Sequence, residues 1–150
     1  MATGTQEKLP DSGRLMALDY GRVRVGIAVS DALQITAQPF TTIEKYRNID
    51  DLTDRIKKIC DEKNIAGIVV GLPINMDGTE GEMAQEVRQF TEVLRRTFQA
   101  PVLLLDERLT SVQAHRVLQE AGTKLVRAKG KVDQIAASFI LRGYLDRQIH

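Results

Sequence analysis

Leu15 to Leu18 form an unbroken apolar run that ends at Asp19, and beyond Tyr20-Gly21-Arg22 the positions Val23, Val25, Ile27 and Val29 alternate with other residues. A buried strand over 14–19, a tight turn and a second strand of period two predict a hairpin. Gly26 and Ala28 fall on the other face of the second strand, where missing side-chain bulk lets another segment approach closely. A weaker third strand is expected over Pro39–Glu44.

From Asn48 the period changes. Ile49, Leu52, Ile56 and Ile59 recur at steps of three and four, with Asp50 and Asp51 in the first turn, where the helix dipole favours acids. This amphipathic helix leads into IAGIVVG at 65–71, a continuous apolar run of the kind a central parallel strand requires. After the turn-rich LPINMDGTEGE, Met83, Val87, Phe90 and Leu94 mark a second helix within 80–98, PVLLLDE at 101–107 a fifth strand, and Val112 to Ala121 a third helix closed by Gly122. The last helix, over 131–146, carries Val132, Ile135, Ala136, Phe139 and Ile140 on its apolar side. An antiparallel hairpin group followed by strand–helix–strand units predicts an α/β fold, a five-stranded mixed sheet with helices on both faces.

Composition narrows the setting. A chain of 150 residues fits one domain, read here as 14–147 behind a flexible tail at 1–13. No apolar run reaches the ~18 residues of a membrane span, and the first residues lack the apolar core of a signal peptide, so a cytoplasmic protein without membrane contact is expected. A single cysteine, Cys60, and no Cys/His cluster exclude an internal disulfide and a zinc site. The net charge of +1 supplies no global attraction for polyanions, so nucleic-acid binding has to rest on local basic clusters. No helix is long enough for a coiled-coil seam, which leaves a monomer and a weak homodimer both open.

Three acids then stand out. Asp19 closes the first strand, Glu107, beside Asp106, closes the fifth, and Asp133 lies in the first turns of the last helix. Each has an ordinary alternative: Asp19 as an acceptor for its hairpin turn, Glu107 as a surface acid near Arg108, Asp133 as a first-turn acid favoured by the dipole. Ala136 and Ala137, one turn beyond Asp133, let the helix press on the sheet and direct the carboxylate inward. Converging carboxylates repel one another unless a cation compensates, so the three together predict a hard divalent ion, Mg2+ or Mn2+. Two such ions ~3.5–4 Å apart activate water and stabilise the leaving oxygen of a phosphodiester.

The segments LDYGRVRVGIAVSD, VVGLPINMDGTEGE, LLLDERLTSVQA and KVDQIAASFIL, in this order and spacing, resemble the YqgF family, also called RuvX, of small RNase H-like proteins described as Holliday-junction resolvase-like and as pre-16S ribosomal RNA nucleases. The four blocks span 15–141. The resemblance implies an RNase H-like fold, divalent-metal-dependent phosphodiester hydrolysis, and a part in maturing the 5′ end of the small-subunit ribosomal RNA. It carries the catalytic and metal-holding roles onto Asp19, Glu107 and Asp133. Ser111 stands where a second threonine is expected and keeps the hydroxyl that can cap a helix.

Basic residues supply the candidate nucleic-acid contacts. Lys124, Arg127, Lys129 and Lys131 occur with no acid among them in TKLVRAKGK, just before Asp133, and can position a phosphate backbone without reading sequence. Arg22 and Arg24 either hold phosphates or form a solvated hairpin face, and Arg108 pairs either with phosphate or with Asp106. Gly71-Leu72-Pro73 and Asp77-Gly78 form either an anion site at a helix start or a rigid connection. Without a GK[ST] sequence this is no nucleotide-binding P-loop. His115 reads as a surface residue, and Tyr20 as packing beside the hairpin rather than stacking on a base. Three functions follow: a metal-dependent nuclease acting on pre-16S ribosomal RNA or on a DNA junction, a non-catalytic nucleic-acid-binding module, and an ATP-dependent phosphotransferase of the acetate kinase and actin group. The last ranks lowest, because those proteins close two lobes over the nucleotide and 150 residues provide one.

Overall fold

A computed structural model of the chain describes residues 8–110 and 129–148. Its elements are β1 (Arg14–Tyr20), β2 (Arg24–Ser30), β3 (Ala37–Glu44), α1 (Ile49–Lys63), β4 (Ile65–Leu72), α2 (Glu82–Thr97), β5 (Val102–Asp106), a single 3-10 turn (Glu107–Leu109) and α3 (Lys129–Arg147). The helix expected over 112–121, with His115, lies outside the described residues.

The five strands form one sheet in the order β3-β2-β1-β4-β5. β2 pairs antiparallel with β1 and β3, while β4 runs parallel to both β1 and β5. This is the mixed sheet that the hydrophobic pattern predicts. Alternation along β1 divides the core in two. Met16 and Leu18 point to the face covered by α1 and α2, where Leu52, Ile56, Val87, Phe90 and Leu94 are buried. Leu15 and Ala17 point to the opposite face, where Ala136, Ala137, Ile140 and Leu141 of α3 close over them. Asp19 continues that second series, so it lies on the α3 side.

Local chemistry sets the helix ends. Asn48 caps α1 by accepting from the Asp51 amide at 2.8 Å, and Asn64 ends it in the left-handed region at φ 55°, with its N–H donating to the Cys60 carbonyl. Cys60 faces the core, and burial pushes its thiol up to about 12, which leaves it without nucleophilic character at neutral pH.

The structure departs from the sequence pattern at several boundaries. β5 stops at Asp106 and Glu107 opens the 3-10 turn, because the Asp106 carboxylate accepts from the Arg108 amide at 2.9 Å and turns the chain. Val23 lies outside β2, 66% exposed in the turn, so its apolar character there reflects no burial. The segment expected as a tail is anchored at its described end. Leu9 is buried against the α3 side of the sheet, the Gln34 amide donates to the Pro10 and Gly13 carbonyls, and the Gly13 amide donates to the Ala32 carbonyl.

Asp31, just beyond β2, accepts from the Ile35 and Thr36 amides at 2.8 and 2.7 Å and from the Thr36 hydroxyl at 3.1 Å. These donors, the Thr36 amide foremost, hold its carboxyl down to about 2 from an ordinary 3.8. A depressed carboxylate pKa contributes stability above the unfolded value that is lost as pH falls through the folded one. The turn is therefore expected to persist at pH 3 and open as pH approaches 2. An NMR titration of the Asp31 carboxyl carbon, with exchange of the Ile35 and Thr36 amides, measures this; a midpoint near 3.8 would contradict the cap.

Candidate functional site

The acids collect where β1, β4 and β5 end. Asp19 pairs across the sheet with Gly26 of β2. On its other side Leu18 pairs with Val70, so Gly71 follows one position on, level with Asp19. Neighbouring strands lie about 4.8 Å apart, which sets a glycine on each flank of the carboxylate. Both glycines are occupied from above. A Cβ on Gly26 would overlap the Asp133 carbonyl and stand 2.7 Å from the Asp133 Cβ. A Cβ on Gly71 would stand 2.5 Å from Ile140 Cδ1 and 2.7 Å from Glu107 Oε2. The first turns of α3 thus rest directly on β2 through Gly26, and the Glu107 carboxylate lies over β4 through Gly71. Asp19 lies between them.

Burial of the acids is unequal. Asp19 is 6% and Glu107 3% exposed, a placement that is costly for carboxylates unless they are compensated. The Asp133 side chain is 20% exposed, and its Oδ2 accepts from Arg24 Nε at 2.8 Å. Arg24 opens β2, and its side chain is 30% exposed. Among the described residues no three His, Cys, Asp or Glu side chains stand, as they are oriented, close enough together to hold an ion.

Asp106 and Arg108 brace Glu107 from both sides. The Asp106 carboxylate takes the Arg108 amide and also the guanidinium, with Nη2 to Oδ2 at 2.8 Å. That guanidinium bond holds the Asp106 carboxyl below the usual range. Arg108 Nη1 also reaches the Asn75 and Met76 carbonyls at 3.5 Å, tying the loop after β4 to the 3-10 turn. The loop is folded on itself: Gly78 N–H donates to the Asn75 carbonyl and Thr79 N–H to Asp77 Oδ1. These amides serve the connection, while α2 itself starts at Gly81 without a side-chain cap.

Of the remaining basic residues, Arg22 is drawn away from the acids. Its Nε donates to Glu86 at 2.7 Å and its Nη2 pairs with Glu86 and Glu82, fastening the hairpin turn to α2 on the opposite face of the sheet. Tyr20 stacks on Phe90 of α2 with ring centroids 4.8 Å apart. Lys129 opens α3, and Lys131 is exposed two residues before Asp133. Lys124 and Arg127 lie outside the described residues, as does Ser111. Periodicity flags Gly26 as a point of close approach. It carries no sign that Gly71 receives Glu107, nor of the Arg24–Asp133 pair, whose partners are 109 residues apart.

Among the described residues no helix is long and apolar enough to cross a membrane. Comparison with solved structures finds the same architecture in Thermus thermophilus RuvC bound to a Holliday junction substrate, with a TM-score of 0.58 at 13% identity over 90% of this chain and 94% of that one. The yeast mitochondrial Holliday junction resolvase Ydc2 matches with a TM-score of 0.57 at 11% identity, over 96% of this chain and 82% of that one. These likenesses establish the RNase H-like, RuvC-like fold. At the level of sequence, a protein of Clostridium novyi named "Putative pre-16S rRNA nuclease" is 44% identical over 89% of this chain and 98% of its own length. A protein of Lachnospira eligens with the same name is 47% identical over 89% of this chain and 96% of its own. The model of the RuvX family, described as Holliday junction resolvase, matches residues 13–147, and the chain belongs to that family.

Proposed function

We propose that the chain is a metal-dependent nuclease that hydrolyses phosphodiester bonds in the 5′-end maturation of pre-16S ribosomal RNA, acting in the cytoplasm. The observation that carries this reading is the pair of buried carboxylates, Asp19 near the end of β1 and Glu107 just beyond β5, on either side of β4 in a RuvC-like sheet, beneath the helix turn that bears Asp133. The names of the relatives, at 44% identity and above, support the substrate.

The donor set suits a hard divalent cation. It consists of carboxylate oxygens alone, with no thiol or imidazole among the three residues, which favours Mg2+ or Mn2+ over softer metals. Asp19, Glu107 and Asp133 would hold it, and when bound it supplies activation of water and stabilisation of charge on the phosphate. The chain does the rest. Gly26 and Gly71 keep Cβ atoms out of the space the carboxylates occupy, and Asp106 with Arg108 holds the turn that aims Glu107. Burial under α3 strengthens each electrostatic contact made there. Lys131 is exposed two residues before Asp133 and would lead the phosphate backbone toward it; Lys124, Arg127 and Lys129, which precede it in sequence, are assigned the same part. In the reaction the water oxygen bonds to phosphorus and the bond from phosphorus to O3′ breaks. The leaving O3′ takes up a proton, giving a 5′-phosphate and a 3′-hydroxyl.

The test is a cleavage assay with purified protein on precursor 16S ribosomal RNA, unrelated single-stranded RNA and four-way DNA junctions, each with Mg2+, Mn2+ or chelator. Chelator-sensitive cleavage of the precursor that yields the mature 5′ end is the expected result. Cleavage of junctions alone would move the assignment to a DNA resolvase, the reading favoured by the family description. Salt-sensitive binding of nucleic acid with no cleavage under any condition would identify a non-catalytic binding module instead.

A further inference from the structure

We infer that Arg24 is a latch on the candidate site: it holds the Asp133 carboxylate in the ion-free protein and gives it up when a divalent cation binds, freeing its guanidinium for a substrate phosphate. The inference rests on the metal-dependent reading above and deepens it. Its basis is the 2.8 Å bond from Arg24 Nε to Asp133 Oδ2, which joins the first residue of β2 to the first turns of α3.

Three observations bear on it. The backbone of Asp133 rests against Gly26, so a change of partner by this residue is assigned to its side chain and not to movement of α3. The side chains of Arg24 and Asp133 are 30% and 20% exposed, so an ion or a phosphate meets them first, whereas Asp19 and Glu107 lie deeper. No three carboxylates stand at ion-holding distance among the described residues while Asp133 faces Arg24, which is the arrangement a closed latch requires. Arg22 has Glu86 and Glu82, and Arg108 has Asp106; Arg24 is the hairpin cation held by a member of the acid set itself. Guanidinium matches a phosphate through parallel N–H donors as well as it matches a carboxylate, so exchange of one anion for the other preserves its hydrogen bonding.

A guanidinium and a cation that compete for one carboxylate are coupled, and removing one must raise the affinity for the other. Arg24→Gln keeps most of the side-chain volume and a donor while removing the charge. Titration of the full chain with Mn2+, read by the EPR signal of the free ion without nucleic acid, is expected to show about 5-fold or greater tightening in Arg24→Gln. Asp133→Asn should bind more weakly than wild type, and Arg24→Lys should fall between wild type and Arg24→Gln. Precursor RNA cleavage by Arg24→Gln at saturating Mn2+ should show a raised KM. Equal or weaker Mn2+ binding by Arg24→Gln overturns the latch and leaves the nuclease reading standing. Failure of wild type and Arg24→Gln alike to bind Mn2+ overturns both. The unmutated protein supplies a second readout. The Arg24 Nε–H resonance should be protected from exchange in the ion-free state and lose that protection on addition of Mg2+; protection unchanged at saturating Mg2+ overturns the latch.

Discussion

Asp19→Asn is expected to abolish divalent-ion-dependent cleavage, with a loss of about 10³-fold or more, while the protein keeps its fold. Asparagine fills the same volume at the end of β1 and can still accept a hydrogen bond through its amide oxygen, so the register with Gly26 and the packing under α3 are undisturbed. What it loses is the negative charge. A charge that helps to hold the ion stabilises the transition state by several kcal/mol, and about 4 kcal/mol corresponds to about 10³-fold in rate. Asp133→Asn should match it in activity, with the additional loss of the charged partner of Arg24. The comparison is made on variants whose circular dichroism and melting curves match wild type. Undiminished cleavage by both folded variants would remove the acids from the mechanism.

Gly26→Ala should act on the fold first and on activity as a consequence. The added Cβ would overlap the Asp133 carbonyl, which is backbone of α3 and cannot swing aside as a side-chain terminus can. Either β2 bends or α3 lifts, and lifting uncovers Ala136, Ala137, Ile140 and Leu141, all 2% exposed or less. Overpacking of this kind costs about 1–3 kcal/mol, and more where backbone is the obstacle. A loss of about 3 kcal/mol lowers the melting temperature of a chain this size by about 10 °C. Gly71→Ala provides the contrast, because its Cβ meets side-chain atoms of Ile140 and Glu107 and no backbone. That variant should melt much nearer to wild type yet cleave poorly, with the Glu107 carboxylate displaced. Equal melting temperatures for wild type and Gly26→Ala would mean that α3 does not press on the sheet there.

Much of this site is legible from local pattern. Asp19 attracts notice because a charge ends an apolar run, and Gly26 because a glycine interrupts the alternation of a strand; both signals come from a few adjacent residues. Glu107 and Asp133 gain meaning only beside Asp19, and that grouping came from the order of elements and from the family resemblance. The three arginines read alike in sequence, as exposed cations in turns or at strand ends. Their partners separate them: Glu86 and Glu82 take Arg22 to the α2 face, Asp106 takes Arg108, and Asp133 takes Arg24. None of these choices has a local signature except Asp106 with Arg108, two residues apart.

By itself the sequence determined the five strands, the helices among the described residues and their order, since side-chain period follows from backbone geometry and is written in neighbouring residues. It also supplied the chemical type of the proposed site, because oxygen donors without thiols or imidazoles restrict which ions such residues would hold. The tertiary structure alone decided that β1 lies between β2 and β4, that α3 takes one face while α1 and α2 take the other, and that Gly71 receives Glu107 as Gly26 receives Asp133. It alone decided that Arg24 holds Asp133. The reason is that a hydrophobic pattern states that a surface is buried and not against what. Contacts between residues 109 apart become definite only when the whole sheet has closed.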